Sequence, residues 1–279
     1  MKVLKGAEVS AVLKEFVGEK LKELDRVPRL AIVRVGEKPD DISYEKGAKK
    51  KMASFGLEAV SYVYPEEIGD EEFREKFSAI NQDPQVDGIL LLRPLPRHIN
   101  EAAIEEMIDP AKDLDGISPA NIAKVFAGKE DGFAPCTAEA VVEMLDANGI
   151  AVQGKRIAIV GRSMVVGRPL SMLLMKKNGT VTICHTRTVD LEGTCRQAEI
   201  LVAAAGKAKM IGEAHVGEGA VVIDVGINVD EDGKLCGDVD FDAIQEKASM
   251  ATPVPGGIGA VTTAVLAKHL VLAALRKKA

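Results

Sequence analysis

Residues Gly154–Leu174 read GKRIAIVGRSMVVGRPLSMLL. The apolar run Ile157–Val160 has the character of a buried parallel strand. Gly161 ends it, and Gly167, Pro169 and a helical apolar pattern at Leu170, Leu173 and Leu174 follow. Strand, glycine turn and helix form the first βα unit of a dinucleotide-binding fold. A helix N-terminus offers free N–H groups and the positive end of a dipole, so it suits a pyrophosphate. Glycine at the turn lets backbone approach phosphate. The usual spacing is G-x-G-x-x-G; here Ser163 replaces the middle glycine and the last interval is one residue longer. On this stretch alone, an ordinary βα turn in an α/β protein competes with the nucleotide reading.

The rest of the chain supplies context. Its 279 residues suggest two domains, and 47% hydrophobic content is ample for a packed core. The net charge of −6, with both signs interspersed, argues against a nucleic-acid surface. No apolar run is read as spanning a membrane, and the charged, helical N-terminus is unlike a signal peptide. Cys136, Cys184, Cys195 and Cys236 are widely spaced without C-x-x-C, so neither a metal site nor a disulfide framework is expected, and a reducing cytoplasm is the default.

In order, helix is expected over residues 7–25, strand at Arg29–Val35, helix at Asp40–Phe55, strand at Ala59–Val63, helix at Glu71–Ile80 and strand at Asp87–Leu92. Pro110–Pro119 reads as a loop, and helices follow near Ala120–Ala127 and Ala138–Asn148. Beyond the opening βα unit come strands Thr180–Cys184, Ile200–Ala204 and Ala220–Val225. A hairpin-like insertion at Asn228–Gly237, a Pro-Gly loop at Thr252–Gly259 and a helix at Val261–Leu275 complete the chain. Such alternation implies an α/β class. Arg93-Pro94, Leu95-Pro96 and Val254-Pro255 stand at sharp stops, where at least one cis bond is expected, most of all at Val254-Pro255.

Eight motifs fall in one order: SYEKGAKKK (Ser43–Lys51), PAKDLDG (Pro110–Gly116), PCTA (Pro135–Ala138), GRSMVVGRP (Gly161–Pro169), CHTRT (Cys184–Thr188), VIDVGIN (Val222–Asn228), GDVD (Gly237–Asp240) and TPVPGGIGAVTTAVL (Thr252–Leu266). Along nearly its whole length the chain resembles the bifunctional methylenetetrahydrofolate dehydrogenase/methenyltetrahydrofolate cyclohydrolase (FolD) family. That resemblance implies two α/β domains around a cleft, usually in a homodimer. A folate-binding catalytic domain would comprise residues 1–136 plus 259–279, and an NADP-binding Rossmann-like domain residues 137–258. The partners implied are tetrahydrofolate derivatives, with no nucleic acid, membrane or metal.

The resemblance also assigns residues. Gly161, Arg162 and Ser163 match the phosphate turn, and Ile227 a position beside the nicotinamide. At the end of the second strand an acid would select NAD by accepting ribose hydroxyls. Here His185, Thr186 and Arg187 stand there, with no acid before Asp190. Arg162 and Arg187 can pair with a phosphate, which favours NADP, although both also read as solvated surface charges. Tyr44 matches a tyrosine stacked on folate, and otherwise reads as a half-buried helix residue. Asp115 matches the aspartate that grips the pterin ring, while Asp113 is the better turn cap. Pro255, Gly256 and Gly257 match the loop between the two ligands, or form only a turn before the last helix. The four histidines share no metal spacing, and Cys136 reads as packing.

Two positions depart from the family pattern. Bifunctional members carry a lysine four residues after the tyrosine, where this chain has Ala48, and a supporting glutamine where it has Leu92. Lys49 and Lys50 are rotated by roughly 100° and 200° from position 48, and Lys51 is nearer that face but farther along. Hydride transfer requires two ligands held in orientation, whereas hydrolysis needs proton transfer. A dehydrogenase with weak or absent cyclohydrolase is therefore expected. Two alternatives stay open: full bifunctionality with Lys51, Lys46 or a water relay as substitute, and a non-catalytic folate- or NADP-binding protein. A different α/β dehydrogenase, of shikimate or amino-acid type, shares the architecture but does not predict PAKDLDG together with TPVPGGIG.

Overall fold

The computed structural model describes residues Met1–Lys278. In chain order the elements are β1 (Lys2–Val3), α1 (Gly6–Leu21), β2 (Arg29–Val35), α2 (Pro39–Ser54), β3 (Glu58–Tyr64), α3 (Asp70–Gln82), β4 (Gly88–Leu91), α4 (Glu101–Met107), α5 (Pro119–Phe126) and α6 (Cys136–Ala147). They continue with β5 (Arg156–Val160), α7 (Gly167–Lys176), β6 (Thr180–Cys184), α8 (Leu191–Arg196), β7 (Ile200–Ala203), β8 (Val221–Asp224), β9 (Asn228–Val229), β10 (Leu235–Cys236), β11 (Met250–Ala251) and α9 (Gly259–Lys278).

The chain divides into two compact units. One holds Leu13–Cys136 and the chain from Thr263 on; the other holds Met1–Val12 and Thr137–Thr262. In the first unit β2 lies between β3 and β4, all parallel. A central parallel strand is covered on both faces, and β2 is accordingly buried from Leu30 to Val35. Phe73, Phe77 and Ile80 of α3 pack with Val33, Ile89, Leu91 and Ile104 in one apolar cluster. The C-terminal half of α9 is tied to this unit. Lys277 reaches the buried carboxylate of Asp87, and Arg276 donates to the carbonyls of Glu130 and Asp131.

The second unit is a six-stranded parallel sheet in the order β1-β11-β8-β7-β5-β6. Strand β5 has β6 on one side and β7 on the other, so strand order reverses there. Ligands of open α/β sheets bind outside the carboxyl ends of the strands at such a reversal. The carboxyl end of β5 is Val160, followed by Gly161.

The first twelve residues differ from the sequence-based boundary. They join the nucleotide-type unit because Lys2 and Val3 pair with Met250 and Ala251, extending the sheet by one strand. Strands β1 and β11, of two residues each, and the short α4 and α8 carry too little periodicity to be read. Helix α1 ends at Leu21 and buries Val9, Leu13 and Val17, while Val12 is 55% exposed. Both Arg93-Pro94 and Val254-Pro255 are cis. Helix α9, contrary to the membrane reading, is long and apolar enough to cross a bilayer, but 61% of its apolar window is buried in the fold. Lys268 and His269 interrupt that run in the sequence.

The edge strand can be tested through Leu4, which is fully buried and donates its N–H to the Ala251 carbonyl. Leu4→Ala should lower unfolding free energy by about 2–5 kcal/mol in urea titrations. A loss below about 0.5 kcal/mol, the range of an ordinary surface change, would make the first strand dispensable.

Candidate functional site

The expected site residues fall into two groups, one in each unit. In the first unit, Tyr44, Ala48 and Lys51 lie on α2, Leu92 follows β4, and Asp115 lies on the 110–118 loop. Tyr44 and Ala48 are one helical turn apart, and Met52 continues that row. Ala48 and Met52 are fully buried, Leu92 is also buried, and Tyr44 remains 38% exposed. Positions 48 and 92 are thus apolar packing positions here.

The 110–118 loop is held from inside. Asp113 accepts the N–H groups of Ile117 and Ser118 at 3.0 and 2.8 Å, and the side-chain amide of Asn121 at 2.9 Å. It is the turn cap that the sequence suggested. Next to it, the Leu114 carbonyl accepts the Nδ1–H of His269 at 2.7 Å and the thiol of Cys136 at 3.3 Å. Asp115 accepts the Cys136 N–H at 2.9 Å. Burial raises the Asp115 carboxyl above its ordinary range, while the N–H and thiol of Cys136 and the charge of Arg93 pull it back. Burial and the Asp115 charge together push the Tyr44 phenol up as well. Tyr44, Asp115 and Cys136 therefore share one environment.

Lys51 points elsewhere. Its ammonium lies 5.7 Å from the centre of the Phe55 ring, toward the C-terminal end of α2. Tyr44 is about 10 Å away in helix rise. Burial lowers the Lys51 ammonium below its ordinary range. Sequence reasoning missed the support that Cys136 and His269 give to the Asp115 loop. The only signal was the PCTA motif, read as packing.

In the second unit, Gly161 has φ +137°, and a Cβ there would sit 2.1 Å from the Ala204 carbonyl oxygen. Its N–H bonds the Cys184 carbonyl of β6 at 2.9 Å. A Cβ on Gly167 would sit 2.0 Å from the carbonyl oxygen of Gly161. The Ser163 hydroxyl accepts the Val166 N–H at 3.1 Å, closing the turn. Helix α7 starts without a side-chain cap, and Arg162 is exposed beside that start. These features fit a pyrophosphate: a glycine-tight turn, an uncapped helix start and an adjoining cation.

Thr186 and Arg187 are exposed on a turn at the end of β6. There the His185 N–H donates to the Thr188 hydroxyl at 2.8 Å, and the Thr188 N–H returns to the His185 carbonyl at 2.9 Å. The next acid, Asp190, is engaged with the Gly193 N–H at 3.0 Å as the cap of α8. Between the end of β6 and Asp190 there is thus no carboxylate to take ribose hydroxyls, and Arg187 is a cation that could pair with a 2′-phosphate. Pro255 and Gly256 are exposed. Gly256 has φ +100°, its carbonyl accepts the Gly6 N–H at 2.8 Å, and a Cβ on Gly257 would meet the Pro253 carbonyl oxygen at 2.5 Å. Ile227 is 66% exposed on the turn after β8.

Comparison with known proteins finds relatives along nearly the whole chain. Residues 4–115 match the catalytic domain, and residues 135–278 the NAD(P)-binding domain, of tetrahydrofolate dehydrogenase/cyclohydrolase. The chain belongs to this family. The bifunctional protein FolD of Clostridioides difficile is 49% identical over 277 residues, covering 97% of this chain and 96% of that protein. The Campylobacter jejuni FolD methylenetetrahydrofolate dehydrogenase/cyclohydrolase superposes with a TM-score of 0.95 at 39% identity, covering 99% of each chain. The Trypanosoma brucei family member, solved with NADP cofactor and inhibitor, gives 0.91 at 31% identity, covering 98% of this chain and 97% of that one.

One titration in the family's NAD(P)-binding domain is measurable. Burial, then the nearby charge of Asp238, pushes Asp224 up to about 6, against three backbone N–H groups that draw it down. The folded protein holds this proton more tightly than an unfolded chain, where the carboxyl titrates at 3.8. The group's stabilising contribution is therefore complete below that value and lost as pH rises through about 6. Carbon-13 NMR should find one carboxyl titrating near pH 6 that disappears in Asp224→Asn. A midpoint near 4 for Asp224 would contradict the assignment.

Proposed function

We propose that the chain is an NADP-dependent 5,10-methylenetetrahydrofolate dehydrogenase of one-carbon metabolism, forming 5,10-methenyltetrahydrofolate. The observation that carries this reading is Tyr44 beside the half-buried, backbone-anchored Asp115, in a chain of this family. Asp115 offers its remaining lone pairs to the N–H edge of an aminopyrimidine. Tyr44 offers an exposed aromatic face for stacking. Bound NADP supplies the hydride acceptor. Gly161, Arg162 and Ser163 would hold its pyrophosphate, Thr186 and Arg187 its 2′-phosphate, and Ile227 would flank its nicotinamide. Pro255, Gly256 and Gly257 would line the folate. Oxidation of the methylene bridge leaves a cation stabilised by the folate nitrogens, so orientation suffices and no protein base is required for that step. The homodimer and cytoplasmic readings rest on the family resemblance and on four free, buried cysteines.

The methenyl product should persist. Ala48 and Leu92, both buried and apolar, can neither donate to an attacking water nor take its proton. The second reading, full bifunctionality, is favoured by the names of the bifunctional relatives. It needs a substitute such as Lys51, whose ammonium is directed to Phe55. Reduced-nicotinamide absorbance after adding methylenetetrahydrofolate and NADP tests the dehydrogenase; a flat trace from folded protein would remove it.

Two variants refine the test. Arg187→Ala should weaken NADP more than NAD, by roughly ten- to a hundredfold, the worth of one charge-assisted contact. Equal losses would place Arg187 away from the 2′-phosphate. Unmodified protein should hydrolyse methenyltetrahydrofolate near the spontaneous rate, and Ala48→Lys with Leu92→Gln should raise that rate more than either change alone. Rapid hydrolysis abolished by Lys51→Met would instead make Lys51 the base.

A further inference from the structure

The turn after β8 that carries Ile227 is held by two buried aspartates from different segments. Asp224, at the end of β8, accepts the Gly226 N–H at 2.9 Å, the Asp238 N–H at 3.0 Å and the Val239 N–H at 2.9 Å. Asp238, after β10, accepts the N–H groups of Ala205, Gly206 and Lys207 at 2.5, 3.0 and 2.8 Å, and the Asn228 side-chain amide at 2.9 Å. Both carboxylates are buried, at 3% and 0% exposure. The fit is reciprocal. A Cβ on Gly226 would lie 2.3 Å from the Asp238 carboxylate, and one on Gly237 would lie 1.9 Å from that of Asp224. Each aspartate thus packs against a glycine adjoining the other's segment.

Ile227 sits between the two anchors. The residue before it bonds Asp224, and the residue after it bonds Asp238. An isoleucine that is 66% exposed would ordinarily be free to shift with its turn. Here the chain is tied on both sides of it, through the Gly226 N–H and the Asn228 side-chain amide. The loop after β7 is fixed by the same Asp238. Both loops lie at carboxyl ends of central strands, where the sheet binds ligands.

We propose that Asp224, Asp238 and Asn228 are positioning residues that set the nicotinamide half of the cofactor, leaving its adenosine-phosphate half to Gly161–Ser163 and Arg187. This assignment rests on the dehydrogenase reading above. The clamp acts through Ile227 and the 205–207 loop rather than by touching the reacting atoms. Its signature is therefore a loss confined to one end of the ligand.

The test compares two ligands on the intact protein: NADP, and 2′-phospho-ADP-ribose, which lacks the nicotinamide ring. Asp238→Asn sets an amide N–H against backbone N–H groups and risks the fold. Asn228→Ala removes one bond at a half-buried position and keeps the rest of the clamp. Calorimetric titration of Asn228→Ala should give an NADP affinity lower by about three- to tenfold, with 2′-phospho-ADP-ribose unchanged within about twofold. The turnover number should fall together with NADP affinity, while KM for the folate holds. Equal losses for both ligands, or no loss for either, would overturn the clamp. Wild-type turnover measured alongside separates the two failures. An active wild type with an unaltered variant removes the clamp alone, whereas an inactive wild type removes the dehydrogenase reading and the clamp with it.

Discussion

The Ala204 carbonyl occupies the space where a side chain on residue 161 would begin, 2.1 Å from the position of a Cβ. The architecture of the second unit depends on that contact. It brings the ends of β5 and β7 together at the reversal of strand order. It also aims the chain from Gly161 into a turn closed by Ser163, from which α7 starts with no side-chain cap. A methyl group at 161 would push the two strand ends apart and displace the helix start with them. The phosphate-binding geometry is therefore a by-product of sheet packing.

The smaller site obeys a different constraint. Asp115 is half-buried, and it is useful to a ligand only if the loop that carries it keeps its carboxylate aimed. Asp113 fixes the loop on one side through three bonds, and the Leu114 carbonyl fixes it on the other through His269 and Cys136. Burying a carboxylate costs free energy, visible in its raised proton affinity. The surrounding donors offset part of that cost and set the orientation.

Much of this was legible in the sequence, for reasons tied to particular residues. Leu30–Val33 of β2 and Ile157–Val160 of β5 read as unbroken apolar runs because a central parallel strand is covered on both faces. The glycine turn and the missing acid after β6 are local features, and so is the pair Ala48 and Leu92. Contacts between distant residues were invisible. Nothing in the spacing ties His269 to Leu114, 155 positions earlier, and nothing pairs Lys2 with Met250. The aspartates of VIDVGIN and GDVD stood in plain view, but their mutual lock appears only when the glycines beside them are seen to have no room for a Cβ. Lys51 lies near the right face by helical arithmetic, yet its ammonium turns to Phe55.

The pairing of Lys2 with Met250 also governs the order of events during synthesis. The first strand leaves the ribosome before any of its sheet exists, and its partner is 248 residues behind it. At about 5–20 residues per second, that interval is roughly 12–50 s. Until then Leu4, fully buried in the finished protein, has no core to enter. The first unit can fold in the meantime around β2, β3 and β4, leaving the leading strand and its apolar residue open to chaperones. The six-stranded sheet is therefore completed by two strands made 248 residues apart, and this edge closes late.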